Sequence, residues 1–260
     1  MANEIPIPQP PTHLFLGNLP DLESSHMLAT YMNMTKQYGP IFALDMVRAR
    51  TIYCGSQALV NEICDDTRFE KLVAGPLAQV RNMAGSGLFS ANSWEHDWKL
   101  AHKLLIPAFG PLAIKQMFPQ MTDIAGQMLI KWQRFGPEHA IDVSDAFTRL
   151  TLDTIALCAF DYRFNSFYQD EMHPFVTRAL DALLESGRRA GRTDLETKIR
   201  KWSRDKYDSD IAYCWKVCDE IVADRKAHPR EVNDLLNVML RAEDPETGEK
   251  MSDELIRYEM

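Results

Sequence analysis

From about residue 57 onward, apolar residues recur every three or four positions, and this succession of amphipathic segments most constrains the fold. A helix with one apolar face must bury it against another element, so many such helices in series predict layered helix-on-helix packing. The spacing predicts helices over roughly 57–66, 94–106, 111–135, 144–160, 174–190, 205–228, 231–241 and from 252 onward. Phe147, Leu150, Thr154 and Cys158 fall on one helical face, and Ile211, Trp215, Cys218 and Val222 on another. Pro107 ends one helix and Pro174 opens another at its first turn. Asp244 to Gly248 reads as a turn, and Ser252 as the N-cap that follows it.

The N-terminal part differs. Pro6, Pro8, Pro10, Pro11 and Pro20 rule out a helix there and predict an extended surface segment over residues 1–23. Ser24 and Ser25 offer N-cap oxygens. Leu28, Tyr31, Met32, Thr35 and Tyr38 then keep helical spacing until Gly39-Pro40 stops it. Ile41, Phe42 and Leu44 read as one strand and Thr51 to Cys54 as another, an antiparallel hairpin. The expected fold is mainly α with a small antiparallel β hairpin subdomain.

With 45% hydrophobic and 25% charged residues, the chain can build a core. Its net charge of -8 argues against nucleic acid or an anionic membrane as the main partner. No run reaches the ~20 apolar residues that span a bilayer, so no transmembrane anchor is expected. The first five residues do not resemble a signal peptide. Five cysteines, an odd number at low density, fit a reducing compartment, and the cytoplasm is the expected location. Residues 186–206 are strongly charged and weakly periodic, which suggests a solvated loop or helix end.

The phosphate-binding Gly-x-x-x-x-Gly-Lys-Ser/Thr, the dinucleotide Gly-x-Gly-x-x-Gly, the nucleophile elbow Gly-x-Ser-x-Gly, His-Glu-x-x-His and Cys-x-x-Cys are all missing. Cys214 and Cys218 lie one helical turn apart without a histidine cluster, so they read as small core hydrophobes. Trp98 and His102, at i and i+4, share a helical face. Indole N–H only donates and imidazole can donate, so the pair can hold a carboxylate or simply pack in a core.

The run Trp98-Lys99-Leu100-Ala101-His102 to Pro107-Ala108-Phe109 resembles the C-helix signature of cytochromes P450. Phe69-Glu70-Lys71, Ala84-Gly85-Ser86-Gly87-Leu88-Phe89, Leu150 to Ile155, Asp161 to Tyr168, Ala223 to Lys226 and Asp244 to Gly248 are similar to further segments of that family, in order. Together they resemble the self-sufficient fatty-acid hydroxylases, whose haem domain is fused to a flavin reductase.

That resemblance implies the N-terminal part of a cytochrome P450 fold, an incomplete haem domain over 1–260. It places Lys71, Trp98 and His102 at the haem propionates, where one cation and two donors meet a dianion. It places Phe89 beside the distal haem face, and Leu77, Val80, Ala84 and Leu183 on the wall of an apolar substrate pocket. Tyr53 matches a tyrosine that, with a basic residue, grips a fatty-acid carboxylate in the family. Here Ala49 stands at the basic position, flanked by Arg48 and Arg50, and in a strand those neighbours point to the opposite face. Carboxylate anchoring by Arg48 or Arg50 is therefore open.

The implied cofactor is haem b, with FAD, FMN and NADPH in a reductase, expected in cis. The implied reaction is O2-dependent hydroxylation of an apolar, fatty-acid-like substrate. The family's oxygen-activating helix and its haem-ligating cysteine loop do not occur among these residues, so no metal ligand or catalytic residue is expected in this chain, and no activity of the chain alone. Two rivals stay open at this point: a naturally truncated, non-catalytic binding protein, and a plain helical interaction domain.

Overall fold

A computed structural model describes residues 6–22, 26–46, 49–190, 192, 196 and 199–260. It divides into two compact units, residues 1–70 and 71–260. Ser24, Ser25 and Arg48 lie outside the described residues.

The first unit is built on α1 (Met27–Tyr38) and the hairpin of β1 (Ile41–Met46) and β2 (Ala49–Cys54), followed by α2 (Gln57–Ile63). Gly39, at φ 96°, ends α1 as its N–H returns to the Thr35 carbonyl. Ser56 caps α2 by accepting from the Leu59 N–H. In β1 and β2, Phe42 pairs with Tyr53, Leu44 with Thr51 and Asp45 with Arg50. Phe42 and Leu44 pack with Met34, Tyr31 and Tyr53 into this unit's core.

The proline-rich segment covers the free edge of β1. The Ala43 N–H donates to the Pro8 carbonyl, Asn18 exchanges hydrogen bonds with the Asp45 backbone, and Gln9 donates to the Asp45 carboxylate. A chain that lacks N–H groups cannot add a full ladder, but its carbonyls still occupy an exposed strand edge. Gly17 makes the approach possible, because a Cβ there would lie 2.0 Å from the Asp45 carbonyl oxygen.

The second unit is helical: α3 (Pro76–Ala84), α4 (His96–Leu105), α5 (Pro111–Gln116), α6 (Phe118–Phe135), α7 (Val143–Phe160), α8 (Pro174–Ala190), α9 (Lys201–Ala227), α10 (Leu235–Arg241) and α11 (Asp253–Glu259). Its largest apolar cluster joins Leu100, Leu104 and Leu105 of α4 to Val222, Leu236, Met239, Leu255 and Ile256. Two smaller clusters centre on Ile124, Met128 and Leu157, and on Ala182, Tyr207 and Ile211. Asp142, Asp234 and Ser252 cap α7, α10 and α11 by accepting from N–H groups three residues on.

Several elements differ from the sequence expectation. The helix predicted over 111–135 is two helices that meet at Met117, because Pro119 lacks an N–H and disfavours helical backbone at Phe118. The helix predicted from 231 starts at Leu235, where the Asp234 carboxylate accepts from the Asn237 N–H. Helix α3 was not anticipated: it has nine residues, between Gly75 and Gly85. The buried stripe of α7 is also rotated from the predicted one. Phe147 is exposed, whereas Arg149 and Asp153 are buried.

Those two charges organise the segment after α7. Arg149 donates to the carbonyls of Ser166, Gln169 and Asp170 and pairs with Asp145, while Asp153 accepts from the Ser166 N–H at 2.9 Å and hydroxyl at 2.6 Å. Asp153→Ala leaves both Ser166 donors buried without an acceptor and is expected to cost about 3 kcal/mol in urea denaturation. Asp153→Asn, which keeps one acceptor, is expected to cost less. Equal stability of both variants and the parent would contradict this account.

The charged stretch 186–206 is not simply solvated. Buried Glu185 accepts from Arg189, Arg192 and Ser203, Ser186 shares a hydrogen bond with the Tyr207 hydroxyl, and Arg189 lies 3.8 Å over the Tyr207 ring. Burial opposes ionisation of Glu185, but its three donors hold its pKa below the ordinary carboxylate value.

Candidate functional site

Trp98 and His102 project from one face of α4, with ring centroids 4.3 Å apart and nearly parallel planes. Leu100, Ala101, Leu104 and Leu105 bury the other faces of the helix, which fixes the direction of the pair. Both rings are half-buried. Among the described residues, neither the indole N–H nor an imidazole nitrogen makes a hydrogen bond within the chain. The ring donors therefore remain free to meet an acceptor from outside the chain.

Lys71 precedes α3, and its side chain reaches the loop that follows that helix. Its Nζ donates to the Leu88 carbonyl at 2.6 Å and the Phe89 carbonyl at 2.7 Å, leaving one of its three N–H groups. Burial lowers its pKa, against the opposing pull of Glu259 and Glu95. The loop itself is seated on α11. The Leu88 N–H donates to Glu259 Oε1 at 2.9 Å, and Ser90 Oγ donates to the Ala84 and Gly85 carbonyls. Gly85 and Gly87 permit this contact, because a Cβ on either would fall within 2.5 Å of Tyr258 atoms. Burial pushes the Glu259 carboxyl up to about 7, while the Leu88 N–H and Lys71 pull it back.

A second carboxylate holds the approach to α4. Arg81 pairs with Glu95 through both guanidinium arms, and Glu95 accepts from the Asn92 backbone and side chain. Asn92 in turn accepts from the Val73 N–H at 2.7 Å. The Arg81 guanidinium, first, and the Asn92 donors bring the Glu95 carboxyl down to about 2. A carboxyl held below its unfolded value adds stability above about pH 4.5 and loses it as pH falls towards 2. Thermal melts are therefore expected to drop over that range in the parent and less steeply in Glu95→Gln. Parallel profiles would contradict the tie.

Phe89 is exposed, Leu77, Val80 and Ala84 are half-buried on α3, and Leu183 is exposed on α8. Helix α3 packs against α8 and α9, with Ser186 of α8 and Tyr207 of α9 both donating to the Gln79 carbonyl. The structure thus brings Lys71 to the Phe89 loop, and α3 to the helix that carries Leu183.

Tyr53 and Arg50 belong to the first unit. Tyr53 stacks between Tyr31 and Phe42, donates to the Tyr31 hydroxyl at 3.1 Å, and has its pKa raised by burial. Arg50 stands on the other face of β2 and pairs with Asp45 at 3.8 Å, so the two side chains do not converge.

The sequence reading missed Glu95, Arg81, Asn92 and Glu259. Asn92-x-x-Glu95 carries the spacing of a capping box, a signal present in the sequence. Glu259 had none, because a carboxylate near the end of a helix reads as a surface residue.

The sequence model of the cytochrome P450 family matches residues 7–260. The chain belongs to that family. A self-sufficient cytochrome P450 monooxygenase of Phanerodontia chrysosporium is 46% identical over 251 residues, covering 96% of the chain and 24% of that protein. A bifunctional cytochrome P450/NADPH–P450 reductase of Fusarium oxysporum is 46% identical over 261 residues, covering 100% and 24%. A bifunctional relative from Bacillus cereus is 43% identical over 255 residues, covering 98% and 24%. The chain therefore spans about a quarter of the length of these curated relatives.

The donor set fits the haem that defines cytochromes P450. Two unsatisfied ring donors on α4 and an ammonium with a remaining N–H suit the paired carboxylates of haem propionates, and the apolar Phe89 suits the porphyrin's apolar face. Among the described residues no group of His, Cys, Asp and Glu is disposed to bind a metal ion directly.

Proposed function

We propose that this chain supplies the N-terminal wall of the haem site in a cytochrome P450 monooxygenase that hydroxylates an apolar, fatty-acid-like substrate. The observation that carries the proposal is the stacked Trp98–His102 pair with its unsatisfied donors. In this reading Trp98, His102 and the remaining Lys71 N–H hold the propionates, and their hydrogen bonds orient the porphyrin. Haem, when bound, supplies the O2 activation and C–H oxidation that no side chain here can perform.

Phe89 narrows the apolar space above the haem, and Leu77, Val80, Ala84 and Leu183 line it. These groups exclude water and leave the substrate few orientations. Tyr53, with Arg48 or Arg50, is the proposed anchor for a substrate carboxylate. The hydrogen bond from Tyr53 to Tyr31 and the Asp45 partner of Arg50 weigh against tight anchoring.

The iron-ligating thiolate is assigned to sequence outside this chain. Cys214 and Cys218 are buried core residues of α9, and burial pushes their thiols up to about 11 and 12. Electrons are proposed to come from NADPH through FAD and FMN in a reductase domain in cis, and the relatives' names, which join a cytochrome P450 to an NADPH–P450 reductase, support that arrangement. Among the described residues no helix is long and apolar enough to cross a membrane. The five free cysteines support a reducing, cytoplasmic setting.

The test is the absorption spectrum of the full-length protein after reduction and addition of carbon monoxide. A Soret band at the position of a thiolate-ligated haem is expected. A haem-free protein, or the band of a histidine-ligated haem, would overturn the proposal.

A further inference from the structure

The Leu88 peptide is gripped from both sides. Its N–H donates to Glu259 Oε1 at 2.9 Å and its carbonyl accepts from Lys71 Nζ at 2.6 Å. The same ammonium reaches the Phe89 carbonyl at 2.7 Å. Both ties have a charged partner when Glu259 is ionised, and such hydrogen bonds are about twice as strong as neutral ones. The seat is also tight: a Cβ on Gly87 would lie 2.5 Å from the Tyr258 carbonyl oxygen. The loop cannot slide along α11 without breaking these bonds. Phe89 is 67% exposed and its ring makes no aromatic contact among the described residues, so its backbone, more than its packing, sets where it stands.

We propose that Glu259 is a positioning residue for Phe89: through the Leu88 peptide, and against Lys71, it sets how far Phe89 intrudes into the space above the haem. The inference rests on the placement of Phe89 beside the haem made above. It assigns part of the site's substrate selectivity to a carboxylate that need not touch the substrate.

The experiment uses the haem-loaded full-length protein and 4-phenylimidazole, an iron ligand that fills the apolar space above the haem. Two readouts are taken: hydrogen exchange of the Leu88 amide, and the dissociation constant of the probe from the shift of the Soret band. Glu259→Met is expected to speed Leu88 exchange by roughly tenfold, the loss of one charge-assisted hydrogen bond. It is expected to change probe affinity several-fold, in the same direction as Phe89→Ala. Glu259→Gln retains an acceptor and is expected to restore most of both.

If Phe89→Ala changes the affinity while Glu259→Met leaves it unchanged, the positioning role is wrong, whatever happens to exchange. If Phe89→Ala itself has no effect, the placement of Phe89 fails, and the inference falls with it. Should Glu259→Met fail to take up haem, Leu88 exchange in the parent between pH 6 and pH 8 decides. Lys71, on the loop side, and Asp97 of α4 are the charges that act on Glu259, and on its own helix Arg257 pairs with Asp219 of α9 and Glu254 accepts from Tyr258. After correction for intrinsic rate, protection is expected to rise as Glu259 ionises, and a flat profile would overturn the inference.

Discussion

Replacing Arg225 with methionine is expected to destabilise the helical unit by about 3–5 kcal/mol, the usual cost of removing one partner of a buried ion pair. Arg225 is 2% exposed and Asp234 5% exposed. The guanidinium donates to Asp234 through two nitrogens at 2.7 and 3.0 Å, and also to the Asn237 side chain and the Phe160 carbonyl. The arrangement ties the last turns of α9 and α7 to the start of α10.

Asp234 has a second duty as the N-cap of α10. In Arg225→Met it stays buried without its counter-charge, and Asn237 and the Phe160 carbonyl lose a donor. The paired variant Arg225→Met/Asp234→Leu removes both charges and is expected to recover much of the loss, though not the cap, which contributes about 1 kcal/mol. Urea denaturation of the parent, the single and the double variant checks this. A single variant within 1 kcal/mol of the parent would contradict it.

Legibility in the sequence followed the kind of residue that carries each feature. Apolar periodicity and punctuation gave α8 its full extent, because Pro174 opens the helix. They gave the hairpin its antiparallel pairing and α11 its Ser252 cap. Helix α3 escaped because it is only nine residues long, too short for its spacing of Leu77, Val80 and Ala84 to stand out, and its ends are marked only by Gly75-Pro76 and Gly85.

Buried charges were the main blind spot. Arg149, Asp153, Glu185, Arg225 and Asp234 look like surface residues in a linear pattern, yet each is buried, with partners that range from the next helical turn, as Glu185 with Arg189, to another helix, as Arg225 with the Phe160 carbonyl. Their partners are often backbone carbonyls of irregular segments, which no periodicity reveals.

The candidate site divides in the same way. The shared face of Trp98 and His102 was legible because an i, i+4 pair on a helix defines its own geometry, whereas their role toward haem came from the resemblance. Lys71 was placed by resemblance alone, and the structure adds that it grips the Leu88 and Phe89 carbonyls. Glu259 meets Leu88 from 171 positions away, a contact that only the fold creates. Arg50 illustrates the converse: strand alternation already put it on the face away from Tyr53, and its pairing with Asp45 follows from the register.

The most direct test of the account is haem retention by the full-length protein carrying Trp98→Phe and His102→Leu together. Both substitutions keep an apolar side chain on α4 and remove the ring donors, so the helix should persist by circular dichroism. Losing two hydrogen bonds to charged acceptors is expected to speed haem transfer to a haem-scavenging protein by tenfold to a hundredfold, on the order of 1.5–3 kcal/mol. Unchanged transfer kinetics in a folded double variant would contradict the claim that this face of α4 holds the propionates.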